Sequence, residues 1–518
     1  MAPPQHFLLL ILLLALISPS LCQSQHFPGT LIDCGAASSS LIDGREWLPD
    51  EGFTSSGVSR SLTETTNLKI LSTVRSFPLH DRKFCYTVSV IRDARYMIRS
   101  TYFYGGVNVD SPNPPVFDQM VDGTLWSVVN TTENYARGNL SYYEGVFRAQ
   151  GKTMIFCIGA NSYTDSDPFI SALEFIKLEN SLYNSTNFVI HSLSLVARHA
   201  FGSTKMIGYP DDQFGRYWHP FGQEYSSFTY NNEISVSGIW NLPPLAVFKK
   251  QLSTPLNKSM EIQWPPFSLQ NTTYYIALYF ADDLGPASDG GPRRAIDISI
   301  NGMPYYSNMS VTSIGGVVFT TWWPLSGITK LKIAPAMGSV VGPLINAGEI
   351  FQVLQLGRRT HTKDVIALEK IRNNFQNPPP DWTGDPCMPQ RYSWTGVTCY
   401  EGRRIRIVAL NLTSTRLSGS LSPALNDLTA LTSIALGNNH LSGTIPNLSG
   451  LKLLEILHLN DNQFTGEIPP SLGDISKLRE LFLQNNNLSG PVPNTLLGKP
   501  RLNFKYDGNN VTTAPPSP

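Results

Sequence analysis

Residues 478–493 read LRELFLQNNNLSGPVP, and the same sentence stands at 454–469 (LEILHLNDNQFTGEIP) and 431–446 (LTSIALGNNHLSGTIP). A weaker copy, IVALNLTSTRLSGSLSP, opens the series at 407–423. Equivalent leucines are Leu412, Leu436, Leu459 and Leu483, so the step is 24, 23 and 24 residues. A fixed period in that range marks a solenoid of leucine-rich repeats, whose units cannot bury their apolar edges alone and therefore stack. Such a stack leaves an open curved face suited to docking. The leucines are core, while Asn439, Asn462 and Asn486 are expected to bond backbone groups in the turns. The variable inner-strand positions are Asn411, Thr413, Ala435, Gly437, His458, Asn460, Phe482 and Gln484. The protein-binding candidates are His458, Asn460, Phe482 and Gln484, with Phe482 expected to be exposed beside His458. A degenerate unit covers the far end, because Leu502 lies 24 beyond Leu478 but Lys505 and Asp507 replace the next core leucines.

Toward the N-terminus the pattern changes. Thr362–Phe375 predicts an amphipathic helix with Val365, Leu368, Ile371 and Phe375 on one side. Asn377-Pro378-Pro379-Pro380 ends it, since proline removes donors and disfavours helix before it. Residues 358–380 therefore read as a hinge. From Phe27 to Leu356 the dominant period is two, as in Phe84-Tyr86-Val88-Val90, Tyr274-Ile276-Leu278-Phe280 and Ile296-Ile298-Ile300. Turn signals such as Gly105-Gly106 and Asp122-Gly123 break these runs, which predicts a β-sandwich region.

That region repeats itself. Arg45-Glu46-Trp47-Leu48-Pro49 answers to Arg216-Tyr217-Trp218-His219-Pro220, Tyr102-Phe103 to Tyr279-Phe280, and 168–174 to 343–349. The offsets of 171, 177 and 175 predict two similar lobes side by side.

Composition narrows the function classes. The 518 residues hold 39 Lys+Arg against 39 Asp+Glu, so no long-range field favours nucleic acid. Phe7–Ile17 is an apolar run of signal-peptide length, with cleavage expected after Cys22. Ten sequons fit secretion: Asn130, Asn139, Asn184, Asn257, Asn271, Asn308, Asn411, Asn447, Asn487 and Asn510. After Cys22, five cysteines remain. Cys387 and Cys399 are spaced for a local clasp, while Cys34, Cys85 and Cys157 leave three possible couples. No His or Cys lies at metal-ligand spacing. Asp282, Asp283 and Asp289 share a Gly-rich loop, but a solvated turn is the stronger reading than a calcium site. There is no G-x-S-x-G elbow, phosphate loop or H-E-x-x-H. Glu133 and Glu144 could mimic a glycosidase pair, whose separation sequence distance does not give, so a glycan-cleaving enzyme is the third reading; no enzyme and no cofactor are expected.

Asp381-Trp382-Thr383-Gly384-Asp385-Pro386-Cys387 and Trp394-Thr395-Gly396-Val397-Thr398-Cys399 resemble the N-terminal cap of plant leucine-rich-repeat receptors. With Asp33-Cys34-Gly35, Arg75-Ser76-Phe77-Pro78 and Phe84-Cys85-Tyr86, the chain resembles the plant malectin-like leucine-rich-repeat receptor family. The resemblance implies a mainly β protein: a tandem malectin-like β-sandwich, a G-D-P-C junction, then a short leucine-rich-repeat α/β solenoid. The segments are then 1–22 signal peptide, 27–200 first lobe, 201–357 second lobe, 358–380 helix and Pro-rich linker, 381–405 cap, 406–505 repeats and 506–518 Pro-rich tail. Trp394 would cover the solenoid's open end, with Cys387–Cys399 holding its loop. Because this fold is related to a sugar-binding one, Tyr102, Tyr104, Tyr142 and Tyr143 with Asp118 are the carbohydrate candidates, against packing or protein contact. The reading is a secreted, glycosylated receptor-like binding protein of the plant cell surface or wall. It would sense an oligosaccharide or a secreted peptide and dock a membrane receptor kinase. If the chain is a truncated receptor, it sits at the plasma membrane. The alternative is a soluble wall protein with a structural or inhibitory role.

Overall fold

The period-two runs form strands that face three separate cores. Phe84, Tyr86 and Val88 of Lys83–Ser89 point into one core, and Tyr274, Ile276, Leu278 and Phe280 of Leu269–Phe280 point into another. The computed structural model describes residues 29–513 except 63–67, 80–81, 109–110, 112, 223–226, 230–233, 235–237 and 285–293. The expected signal peptide, Asp289 and the end of the tail lie outside the described residues.

The internal repeat has a direct topological counterpart. In the first lobe, Gly29–Asp33, Ala172–Leu178, Arg95–Tyr102 and Ser141–Arg148 lie side by side in that order. In the second, His191–Phe201, Ala347–Gln355, Leu269–Phe280 and Gly316–Gly327 repeat the arrangement. Each four-strand set is faced by a second four-stranded sheet, Lys83–Ser89 with Thr153–Ala160, Phe117–Val121 and Thr124–Val129 in the first lobe. The two motifs matched at offset 171 occupy the same place. Arg45–Pro49 pairs parallel to Gly29–Asp33, and His219–Phe221 pairs parallel to His191–Phe201.

The lobes are not independent sheets. Gly145 and Val146 pair with Ser194 and Leu193, so among the described residues an eleven-stranded sheet runs through both lobes. The expected boundary at 200/201 also moves. His191–Phe201 is the first strand of the second lobe, because it pairs along its length with Ala347–Gln355 and shares backbone pairing with the first lobe only at that short seam. A third core covers the sheet's outer face, where Tyr183, Phe214, Trp218 and Phe248 pack on Met97, Val146, Tyr275 and Phe351.

The solenoid has five turns. Inner strands Ile405–Asn411, Ser433–Ala435, Ile456–His458, Glu480–Phe482 and Asn503–Lys505 form a parallel ladder, so the degenerate unit still contributes a strand. Each buried leucine contributes about 1.5–3 kcal/mol. The asparagines act as expected: Asn486 Nδ2 donates to Leu459 O and Leu483 O, both at 3.0 Å, and its Oδ1 accepts from Phe464 N at 3.0 Å. Asn509, not singled out in the sequence, makes the same contacts one turn later.

The helix, found at Thr362–Asn374, is not part of a linker. Ala367, Leu368, Ile371 and Phe375 pack in the solenoid core with Trp382 and Trp394, so 358–380 belongs largely to the cap. Asp364 is buried at its start because its carboxylate takes Arg406 Nε at 2.8 Å and Ile407 N at 3.1 Å. Trp394 is 2% exposed and stacks on Trp382 at 5.1 Å over the first repeat. Cys387–Cys399 closes the cap loop, and Cys85–Cys157 joins two paired strands of the first lobe, leaving Cys34 free and buried.

The cap docks on the first lobe. Lys83 Nζ donates to Asp385 O at 2.8 Å, Arg359 pairs with Asp122 at 2.6 Å, and Arg391 and Tyr392 bond Asp118. Burial pushes the Lys83 amine down to about 8, against the pull of Asp385 and Asp381. Tyr392 packs on Cys85, Met120 and Cys157. Gly384 stands at φ +68, and a Cβ there would sit 2.9 Å from Cys85 Sγ and 3.1 Å from Cys157 Sγ. The G-D-P-C junction is therefore a dock in which the glycine makes room for the disulfide beneath it.

Two outcomes follow for stability. Asn486→Ala leaves the Phe464 N–H without its acceptor and takes one of the amide donors from Leu459 O and from Leu483 O, which keep Asn462 and Asn509. It should destabilise the solenoid by about 1–3 kcal/mol, read from chemical unfolding. Gly384→Val adds left-handed strain and a clash, costing about 2 kcal/mol or more. It should open the lobe–cap joint to limited proteolysis while leaving the secondary-structure spectrum intact.

Candidate ligand-binding site

Beside the lobe seam lies a cleft of about 930 Å³. The first lobe supplies Asp43 and Arg45 from a hairpin and Tyr142 from the start of Ser141–Arg148; the second supplies Tyr209, Tyr217 and His219. Tyr142 alternates with Glu144 along its strand on the face that the third core covers, which places its ring at that layer's rim. Tyr142 Oη lies 2.7 Å from His219 Nε2, and the two rings are nearly parallel at 10°. Tyr217 meets Tyr142 edge-on at 5.3 Å, and the Arg99 guanidinium lies 3.8 Å from its ring centroid. Arg45 lies over Tyr209 at 4.8 Å.

The floor is an enclosed ion network. Arg99 donates to Glu144 at 2.7 Å and Glu174 at 3.1 Å; Arg198 lies 2.7 Å from Glu144 and donates to Glu349 at 2.7 Å. These groups are at most 1% exposed. Burial alone would raise the Glu144 carboxyl, but Arg198 and Arg99 outweigh it and hold it below its ordinary value. The charges fix the cleft wall, since tyrosines backed by paired ions have little room to move. Such a wall offers aromatic faces, hydroxyls and the exposed Asp43 to a ligand, with the largely buried Arg45 behind it, 3.9 Å from Glu174.

The carbohydrate candidates do not converge. Tyr102 is fully buried and donates to Gln119 Oε1 at 2.9 Å; Tyr104 is buried and donates to Ser111 O at 2.7 Å. Tyr143 is half-buried, its hydroxyl accepting from Asn130 N at 2.9 Å on the opposite face from Tyr142. Asp118 is enclosed by Asn161, Tyr392 and Arg391, where it anchors the cap. Of these five, Tyr142 lines the cleft, while Tyr102 and Tyr104 are buried, Tyr143 lies on the other face and Asp118 bonds the cap. The supposed acid pair separates too: Glu133 is exposed with Arg137, while Glu144 is locked in the network. Asp282 is buried on Arg294 at 2.6 Å rather than open to a cation. No group of acidic, His or Cys side chains able to hold a metal occurs among the described residues.

Tyr217 and His219 sit in one of the motifs of the internal repeat, and that was their only trace in the sequence. Tyr209 and Asp43 carried none.

On the solenoid, Asn411, Ala435, His458, Phe482 and Lys505 form a register row. Phe482 is half-buried rather than freely exposed. His458 stacks on it at 4.2 Å and 4°, and Lys505 Nζ lies 4.6 Å from its centroid. A partner would meet the ring's edge. His458 also lies 2.9 Å from Glu480, Asn460 donates to Asp461 at 2.6 Å, and Gln484 Oε1 is buried without a partner among the described residues.

Comparison with known proteins agrees with this architecture. Residues 32–353 match the Malectin-like domain, 361–400 the leucine rich repeat N-terminal domain, and 453–475 and 477–498 the leucine rich repeat. The chain belongs to the malectin-like, leucine-rich-repeat receptor-like family. It is 30% identical over 472 residues to a probable LRR receptor-like serine/threonine-protein kinase of Arabidopsis thaliana, covering 83% of this chain and 47% of the relative. A second such kinase of the same plant is 31% identical, covering 77% and 47%. The chain thus spans about half the length of these relatives and matches their non-catalytic outer part. Among solved structures, the ANX2 ectodomain from Arabidopsis thaliana aligns with TM-score 0.53 at 15% identity, covering 63% of this chain and 96% of that one. A chain of the complex of plant peptide RALF23 with FER and LLG2 aligns with TM-score 0.51 at 18% identity, covering 63% and 95%. The fold is that of extracellular receptor ectodomains, and no described helix is long and apolar enough to cross a membrane.

Behind the cleft, His199 Nδ1 accepts from Trp264 Nε1 at 2.9 Å, and burial, with the neighbouring His219, pushes its imidazole down to about 3. Between pH 6.5 and about 3 the unfolded chain binds a proton there that the folded one does not. Stability should therefore fall with pH across that window, by up to about 1.4 kcal/mol per pH unit. His199→Gln should flatten that part of the slope in unfolding curves taken from pH 7 to pH 4.

Proposed function

We propose that this protein is the ligand-binding outer part of a plant receptor or receptor-like protein. It takes a secreted peptide in the cleft between its lobes and docks a partner receptor on its solenoid. The observation that carries this reading is the cleft itself. Its volume suits a small ligand or a few residues of peptide. Its wall comes from both lobes, and it mixes aromatic faces with Asp43 and Arg45, which complement peptide backbone and termini. The burial of Tyr102, Tyr104 and Asp118 removes most of the sugar platform, so peptide is favoured over oligosaccharide. A neighbouring structure is described as a peptide complex with two further proteins, which is consistent with this division of labour. The docked cap would hold ligand and partner surfaces in fixed relation. All ten sequon asparagines are exposed, which supports glycosylation and a secretory route.

The test is capture of secreted plant peptides on the immobilised protein, followed by titration of the retained peptide. Tyr217→Ala and His219→Ala should each weaken binding by about tenfold or more. Phe482→Ala with His458→Ala should leave peptide affinity unchanged and abolish co-purification of a membrane receptor kinase. Equal peptide binding by the cleft variants would overturn the assignment.

A further inference from the structure

Two basic runs far apart in sequence meet at the joint between sandwich and solenoid. One is Arg358-Arg359 with His361 and Lys363; the other is Arg403-Arg404 with Arg406. A parallel bridge between Thr360 and Ile405 lays them side by side, with His361 N donating to Ile405 O at 2.9 Å. Arg358 also donates to Gly402 O. In a chain with equal numbers of acidic and basic residues, this is a local excess of cations.

Most clusters of this kind are cancelled by nearby carboxylates, and part of this one is. Asp122 takes Arg359 at 2.6 Å, and Asp364 takes Arg406 at 2.8 Å. Arg358, Lys363, Arg403 and Arg404 are all exposed and have no carboxylate partner among the described residues. Beside them opens a cavity of about 610 Å³ lined by His361, Lys363, Ile366, Arg404, Arg406 and Asp427, with Thr429 at its edge. Asp427 is the single acid in that lining.

We propose that this joint is a second binding site, one that takes a carboxylate-rich peptide segment carrying an apolar side chain. Arginine forks pair with carboxylates bidentately, and separate side-chain carboxylates can reach separate cations. The apolar requirement comes from Ile366, which is 47% exposed and shares the cavity wall with Lys363 and Arg406. A peptide can cover it with a leucine or valine; an acidic polysaccharide has no such group. The site is distinct from the lobe cleft and does not depend on what that cleft binds.

The experiment uses the full glycosylated chain and a fluorescent peptide alternating Glu with Leu, titrated by anisotropy at low salt. Saturable binding is expected. It should weaken on raising salt to 0.5 M, because exposed pairs are screened. Lys363→Glu with Arg404→Glu should weaken it at least tenfold without moving the thermal midpoint, since neither side chain is in the core. Ile366→Ser should weaken it by a smaller factor. Polygalacturonate is the counter-probe. The proposal is overturned if the peptide does not bind, if the double variant binds it equally, or if polygalacturonate binds and the peptide does not.

Discussion

Glu144 is shared between two arginines from different halves of the molecule. Arg99 comes from its own lobe and Arg198 from the first strand of the next, and none of the three side chains touches solvent. Removing such groups from water costs several kcal/mol each, so the network is weak evidence for stability by itself. Its consequence is positional. Leaving one member unpaired in that interior is strongly unfavourable, so strands Ser141–Arg148 and His191–Phe201 can meet only where Glu144 faces both guanidinium groups. The two-residue seam of backbone pairing is thereby held in one register, and the eleven-stranded sheet runs through it.

The cleft depends on that seam. Tyr142 is two residues from Glu144 on the same face, and Tyr217 lies flat against Arg99. A slip of one residue would turn Tyr142 to the opposite face and remove the cleft's first-lobe wall. The internal duplication carries the same chemistry twice. Glu174 and Glu349 are equivalent strand positions, and each receives a buried arginine. The second-lobe copy is further closed by Tyr183 and Tyr279 hydroxyls at 2.7 and 2.6 Å. The two lobes therefore satisfy equivalent carboxylates with different partners, Glu174 with Arg99 and Glu349 with Arg198 and two tyrosine hydroxyls.

The other constraint is at the cap. The segment between sandwich and repeats reads in sequence as a hinge, yet Lys83, Asp118 and Asp122 of the first lobe clamp Asp385, Tyr392 and Arg359 on either side of its prolines. The residues that do this lie 237 to 302 positions from their partners, and nothing in local pattern marks them. Asp118 illustrates the point. An acid between aromatic residues looked like sugar-binding chemistry, and its actual role is to receive Tyr392 and Arg391.

Much of the architecture was legible because it is periodic. Leucines at a 23–24 residue step must stack, and apolar residues at a step of two must line a sheet. Asn439, Asn462 and Asn486 were readable for the same reason, since a repeated turn repeats its hydrogen bonds. The Trp394 cap was legible only through the family resemblance. What the chain alone could not express was which buried side the tyrosines would take, that the helix at Thr362–Asn374 would join the solenoid core, or that two basic runs would meet with only Arg359 and Arg406 neutralised. Those outcomes rest on contacts between residues far apart in sequence, where apolar burial and the cost of an unpaired buried charge, rather than any local preference, select the arrangement.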